Sequence, residues 1–319
     1  MSENNSNNSS CPFRTSIGGQ ALIEGVMMRG PQKQAIAVRR PDGEIELKVT
    51  ELQLIKDKYP ILGIPIVRGV ANFISSMVNG VRAITYSASF LPEEEQEEPS
   101  KFDIWIEKKL GSEKAEKVIT GFAVFLGIVL AVALFFMLPT VITGFAGRAV
   151  ESRALLNIIE GAVRIIIFLG YMILVSRMKD IKRIWQYHGA EHKTIFCYEN
   201  RLPLTPENAA KQSRFHPRCG TSFLFLVMII SIIVFSVVSW SNVLIRLLLR
   251  LVLLPVVVGI SYELIKLAGR YDNIVTRIIS APGKALQRIT TAEPDESMLE
   301  VAIASMKAVI PEEEGSDIW

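Results

Sequence analysis

Residues 118–142 read VITGFAVFLGIVLAVALFFMLPTVI, a run without one charged side chain. About 20 apolar residues in a helix cross the roughly 30 Å of hydrocarbon in a bilayer, so this stretch predicts a membrane span. Three further windows approach that length, at 154–176, 222–240 and 243–268. Two of them carry charges, including Glu160 and Arg164 in one and Arg250 in the other, and a charge in lipid demands a partner. Glu160 and Arg164 lie four apart and can pair on one helix face. Counting about 1.5 Å per residue from the outer ends puts Glu160 level with Arg250, about 10 Å deep, so these two spans are predicted to touch.

The composition of the whole chain agrees. Of 319 residues, 50% are hydrophobic and 21% charged, and the mean hydropathy is +0.32, too apolar for an ordinary soluble protein of this size. The expected architecture is mainly α: a four-helix transmembrane bundle with a small α+β N-terminal region and a loop holding His and Cys. That loop, 177–221, is dense in Lys and Arg, whereas the other two links between spans hold two arginines and none. The positive-inside rule places it, and both termini, in the cytoplasm. The N-terminus lacks the charged and apolar regions of a cleaved signal peptide. A net charge of +3 without a basic block among aromatics argues against a nucleic-acid partner; the bilayer is the expected one. Cys11, Cys197 and Cys219 are too few for a disulfide framework and read as thiols in a reducing compartment.

Outside the bundle the chain divides into a tail (1–16), an α+β region (17–92), a linker with an amphipathic helix (93–117) and a C-terminal segment (269–319). Within the α+β region, 34–40 and 44–50 read as strands joined through Pro41-Asp42-Gly43. The Gly-rich run 17–31 permits unusual backbone angles but lacks the ending of a phosphate loop. Residues 61–90 suit an interfacial helix. Near the C-terminus, 296–310 predicts a surface helix capped at Asp295.

The chemistry concentrates in the loop. Tyr187-His188-Gly189-Ala190-Glu191-His192-Lys193 contains H-x-x-E-H, and a helix continuing from the second span would put His188, Glu191 and His192 on one face. Two imidazoles four apart can share one metal ion, with the carboxylate placed to activate water. Phe215-His216-Pro217-Arg218-Cys219-Gly220 adds an imidazole and a thiol, and Thr205-Pro206-Glu207 reads as a capped helix start that turns the chain back. All three histidines fall within 29 positions. The candidate ligands are thus His188, His192, His216 and Cys219, for a divalent transition metal, zinc by preference, with Glu191 as catalytic base. Glu263 is a further candidate ligand, with pairing to Lys266 or Arg270 favoured. The alternatives are a non-catalytic membrane factor with a structural or docking loop, and thiol chemistry at Cys219 activated by His216 and Arg218.

The segments GGQALIEGVMMRGP, YHGAEHK and HPRCGTSF, in that order, resemble the YqhQ-like family of bacterial membrane proteins. That family is a domain of unknown function described as a predicted metal-dependent enzyme. The resemblance spans roughly 17–288. It implies a multi-pass protein of the bacterial cell membrane and a metal enzyme, probed at the five motif positions His188, Glu191, His192, His216 and Cys219. The H-x-x-E-H string is shared with inverzincin metalloproteases, whose fold nothing else here matches.

Overall fold

The computed structural model describes residues 13–52, 59–92, 101–146, 150, 152–237, 243–271, 273–313 and 315–318. Cys11, the acidic run 93–98 and the far end of the 222–240 window lie outside them.

Four strands form an antiparallel meander in the order β1 (Gly18–Leu22), β2 (Gly25–Arg29), β3 (Lys33–Arg39) and β4 (Ile45–Glu51). The expected hairpin is β3–β4, with Gly43 at φ 87 in its turn. The Gly-rich run supplies a second hairpin, whose tight connection puts Glu24 rather than a glycine at positive φ (50). Strand alternation gives the sheet two apolar faces. Val26, Met28, Ala35 and Ala37 pack on one side, and Leu22, Met27, Ile36 and Val38 on the other.

The helices are α1 (Val67–Ala88), α2 (Lys101–Leu110), α3 (Ser112–Val132), α4 (Leu138–Ala146), α5 (Arg153–Val175), α6 (Lys179–Glu199), α7 (Pro206–Ala210), α8 (Gly220–Val237), α9 (Val243–Arg270), α10 (Ile274–Thr290) and α11 (Glu296–Val309). A π turn, Ala133–Met137, joins α3 to α4 without a break. Among the described residues, three helical stretches are long and apolar enough to cross a membrane: Val118–Phe145, Leu155–Val175 and Leu248–Arg270. Gly220–Ser236 is equally apolar in character but shorter over the described residues.

The interhelical contact expected from depth counting is present. Arg250 donates to Glu160 Oε2 at 3.0 Å, Arg164 to Glu160 Oε1 at 3.1 Å, and all three side chains are buried. Thr140 and Ser231 complete the cluster, each accepting from one of the arginines at 2.7 and 2.9 Å.

Three expectations are corrected. The H-x-x-E-H helix does not continue the second span: the chain turns at Ser176–Met178, with Met178 extended (ψ 136), and α6 starts afresh. Helix α11 is not a surface helix. Asp295 caps it as expected, but Met298, Leu299, Val301, Ala302, Ile303 and Met306 are buried because the sheet lies over one side and α6 and α7 over others. Glu263 pairs with Arg68 and accepts from the Ile66 backbone N–H at 3.3 Å, since α1 packs along α9.

Candidate metal centre

Helix α6 lies between the edge strand β1 and helix α11, and its 3.6-residue period carries His188 and His192 to the same face. Their rings stand 4.4 Å apart, centroid to centroid. Gly189 lets the 291–294 segment press against α6, where the Ala292 N–H donates to Trp185 O at 2.8 Å. Thr205 caps α7 as its sequence predicts, and the short helix returns the chain so that residues 214–219 run beside α6.

The hydrogen bonds fix the tautomers. His188 Nδ1 lies 2.7 Å from Thr290 O and His192 Nδ1 lies 2.5 Å from Arg214 O. A carbonyl only accepts, so in each ring Nδ1 carries the proton and, in the neutral imidazole, Nε2 keeps its lone pair. His188 Nε2 faces Cys219 Sγ at 3.1 Å, and His192 Nε2 is buried with no hydrogen-bond partner among the described residues. The donor atoms of His188, His192 and Cys219 all lie within 4.8 Å of one another, and all three residues are buried.

Electrostatics couple these groups. Burial opposes charge on His188, but the neighbouring Cys219 sulfur and Glu191 outweigh it and lift the imidazole to about 9. Burial likewise opposes a Cys219 thiolate, and the two imidazoles overcome it, drawing the thiol well below its ordinary value. Burial raises Glu191 above the usual carboxylate range against the opposing pull of both histidines. The Gly19 backbone approaches this carboxyl from β1, which ties the Gly-rich run to the site.

His216 sits beside the trio, its ring 5.5 Å from that of His192, but its Nε2 faces Glu199 at 3.6 Å. Arg218 also pairs with Glu199. The thiol neighbours are therefore His188 and His192, whereas His216 and Arg218, expected to activate it, turn to Glu199. Burial depresses His216 to about 4, Glu199 partly offsetting it. Glu199 itself sits below its ordinary range: burial works against this, and His216 and Arg218 prevail.

Helix α10 is the element that sequence reasoning missed. Gln287 clamps the His216 backbone from both sides, its Oε1 accepting from His216 N and its Nε2 donating to His216 O, each at 2.7 Å. Thr290, at the end of the same helix, supplies the carbonyl that orients His188. Glu24 of the Gly-rich run pairs with Arg183 and accepts from the Tyr187 hydroxyl at 3.2 Å, bracing α6 just before His188.

Comparison with known proteins adds the family. A family described as a protein of unknown function (DUF1385) matches residues 64–312, a range that includes α6, His216 and Cys219. The "Uncharacterized protein YqhQ" of Bacillus subtilis (strain 168) is 34% identical over 306 residues, covering 92% of each chain. No solved structure matches. The chain therefore belongs to the DUF1385 family, as its three long motifs suggested.

Proposed function

We propose that this chain is a metal-dependent enzyme of the bacterial cell membrane, a hydrolase whose site faces the cytoplasm. A divalent transition metal is held by His188 Nε2, His192 Nε2 and Cys219 Sγ. One observation carries the reading: the His192 Nε2 lone pair is buried without a hydrogen-bond partner among the described residues, and it lies in one cluster with a second oriented imidazole and a thiol. Nδ1–H bonds to backbone carbonyls are the usual outer support of a ligating histidine. A set of two nitrogens and one sulfur suits zinc, and three protein ligands leave one coordination position open, as catalytic sites do. When bound there, such an ion supplies Lewis acidity. Glu191, held among the ligands with a raised proton affinity, is the proton acceptor for attacking water.

The lipid bilayer is the proposed partner, with four spans and both termini inside. The charge bias of the loops and the three long apolar helices support this.

Metal analysis of detergent-purified protein tests the proposal. Wild type should hold close to one zinc per chain, and His188→Ala/His192→Ala should hold none. Wild type prepared without chelators and free of metal would overturn it. Glu191→Gln should retain the ion and lose function in cells; if it is silent while His192→Ala is not, the loop serves a non-catalytic membrane factor instead.

The 3.1 Å contact of His188 Nε2 with Cys219 Sγ favours a second reading, a thiolate–imidazolium pair acting as a nucleophile. Alkylation separates the two. A coordinated thiol reacts only after chelation, whereas a free thiolate reacts at neutral pH in the protein as purified.

A further inference from the structure

A cavity of about 440 Å³ opens between the β1–β2 hairpin and α1, lined among others by Gly18, Gly19, Gln20, Arg29, Ser76 and Asn79. Most of its surface is apolar, with a few polar groups set into it. Arg29 is its only charged group among the described residues, and it differs from other arginines of the fold. Arg39, Arg68, Arg183, Arg214 and Arg218 each pair with a carboxylate. Arg29 pairs with none among the described residues, and the only group that offsets its desolvation is Tyr262. Register places Gly18 opposite Arg29, and a side chain at Gly18 would meet nothing within 4 Å among the described residues, so there is open space on the β1 side of Arg29.

The cavity abuts the metal centre. Gly19 lines it, and the position a Gly19 Cβ would occupy lies 3.0 Å from Glu191 Cδ. Strand alternation turns Gly19 toward Glu191 and Gly18, Gln20 and Arg29 toward the cavity, so the β1 backbone stands between the cavity and the proposed base. Arginine matches an oxyanion through its fork of N–H donors, and amide and hydroxyl groups such as Gln20, Asn79 and Ser76 extend such a site.

We infer that this cavity is an oxyanion-binding site, across β1 from the Glu191 centre, and that Arg29 holds the oxyanion group there. The inference is one of binding and stands apart from the metal-enzyme reading. The oxyanion has two possible sources, a soluble molecule or an anionic lipid headgroup, since α1 packs both on the sheet and along the apolar helix α9.

The full-length protein, in detergent with added inorganic phosphate and separately in nanodiscs of phosphatidylglycerol or phosphatidylcholine, provides the test. Thermal unfolding and metal content are read on wild type, Arg29→Met and Gly18→Val, the last adding bulk in open space without changing charge. Stabilisation of wild type by phosphate identifies a soluble oxyanion, and stabilisation only by phosphatidylglycerol identifies a headgroup. In either case both variants should bind at least tenfold more weakly while keeping wild-type metal. An equal response in wild type and the folded variants, or no response of wild type to any probe, would overturn the inference. Metal loss in wild type with anion binding intact would sink the enzyme reading alone.

Discussion

At Gly189 the backbone of α6 meets the 291–294 segment so closely that a Cβ would stand 2.1 Å from Ala292 O and 3.3 Å from Pro294 Cδ. Gly189→Ala must push that segment away and drag with it Thr290 O, the group that orients His188. Overpacking of this kind costs about 1–3 kcal/mol. A lower unfolding temperature together with reduced zinc content is the expected result, and a normal metal content in Gly189→Ala would contradict the coupling. The Glu199 cluster sets a pH response. In the metal-free protein, His216 at about 4 in the fold faces an ordinary value of 6.5 once unfolded. Between these values the unfolded chain takes up a proton that the folded chain refuses, so stability falls as pH falls, by up to about 3 kcal/mol. Glu199 acts with the same sign lower down: its depressed value gives stability above 4.5 that is lost as pH falls through the folded value. Raised Glu191 acts with the opposite sign, so the contribution of His216 is read by difference: between pH 7 and 4 the unfolding midpoint of the metal-free protein should fall less in His216→Asn than in wild type.

Among the elements, the contact between α5 and α9 has the clearest energetic content. Glu160 serves two buried arginines, and removing it strands both charges. Breaking a buried pair by deleting one partner costs about 3–5 kcal/mol. Glu160→Ala should unfold in detergent far more readily than wild type, and Glu160→Arg combined with Arg250→Glu should recover part of the loss relative to either single reversal. This contact was legible because helical rise is constant and charge in lipid has few options, so depth alone matched Glu160 to Arg250. The imidazole and thiol cluster was legible in part, because H-x-x-E-H places two rings on one face wherever the helix begins. Other elements were opaque for physical reasons. The turn at Ser176–Met178 contains neither Gly nor Pro, so nothing local announces it. Helix α10 acts through neutral Gln287 and a Thr290 carbonyl, groups whose role depends wholly on what faces them. The apolar positions of α11 were visible, but a sheet covering them from another part of the chain was not. Glu263 found Arg68, nearly 200 residues away, because α1 lies along α9.

Across the whole molecule, segments distant in sequence converge on α6. The ends of the described chain meet there: Ser16 N and the Thr15 hydroxyl both bond Asp317, and Thr15 N donates to Glu199 Oε1 at 2.9 Å. Deleting 311–319 removes the Asp317 contacts from this buried corner, and each lost partner leaves a group costing about 1–3 kcal/mol. The truncated protein should melt earlier and keep the acid dependence assigned to Glu199, which His216 and Arg218 set, both readable by the same pH-resolved unfolding scan. The placement of Cys219 has a mechanical side as well. Two of the three donor atoms ride on α6, pinned by carbonyls at 214 and 290, while the third belongs to the residue just before α8. When α8 tilts or slides, the sulfur travels with it and the imidazoles stay behind. Under the proposed coordination, the cluster is a strain gauge between bilayer and ion, and zinc affinity should vary with the thickness of the lipid in which the protein is reconstituted.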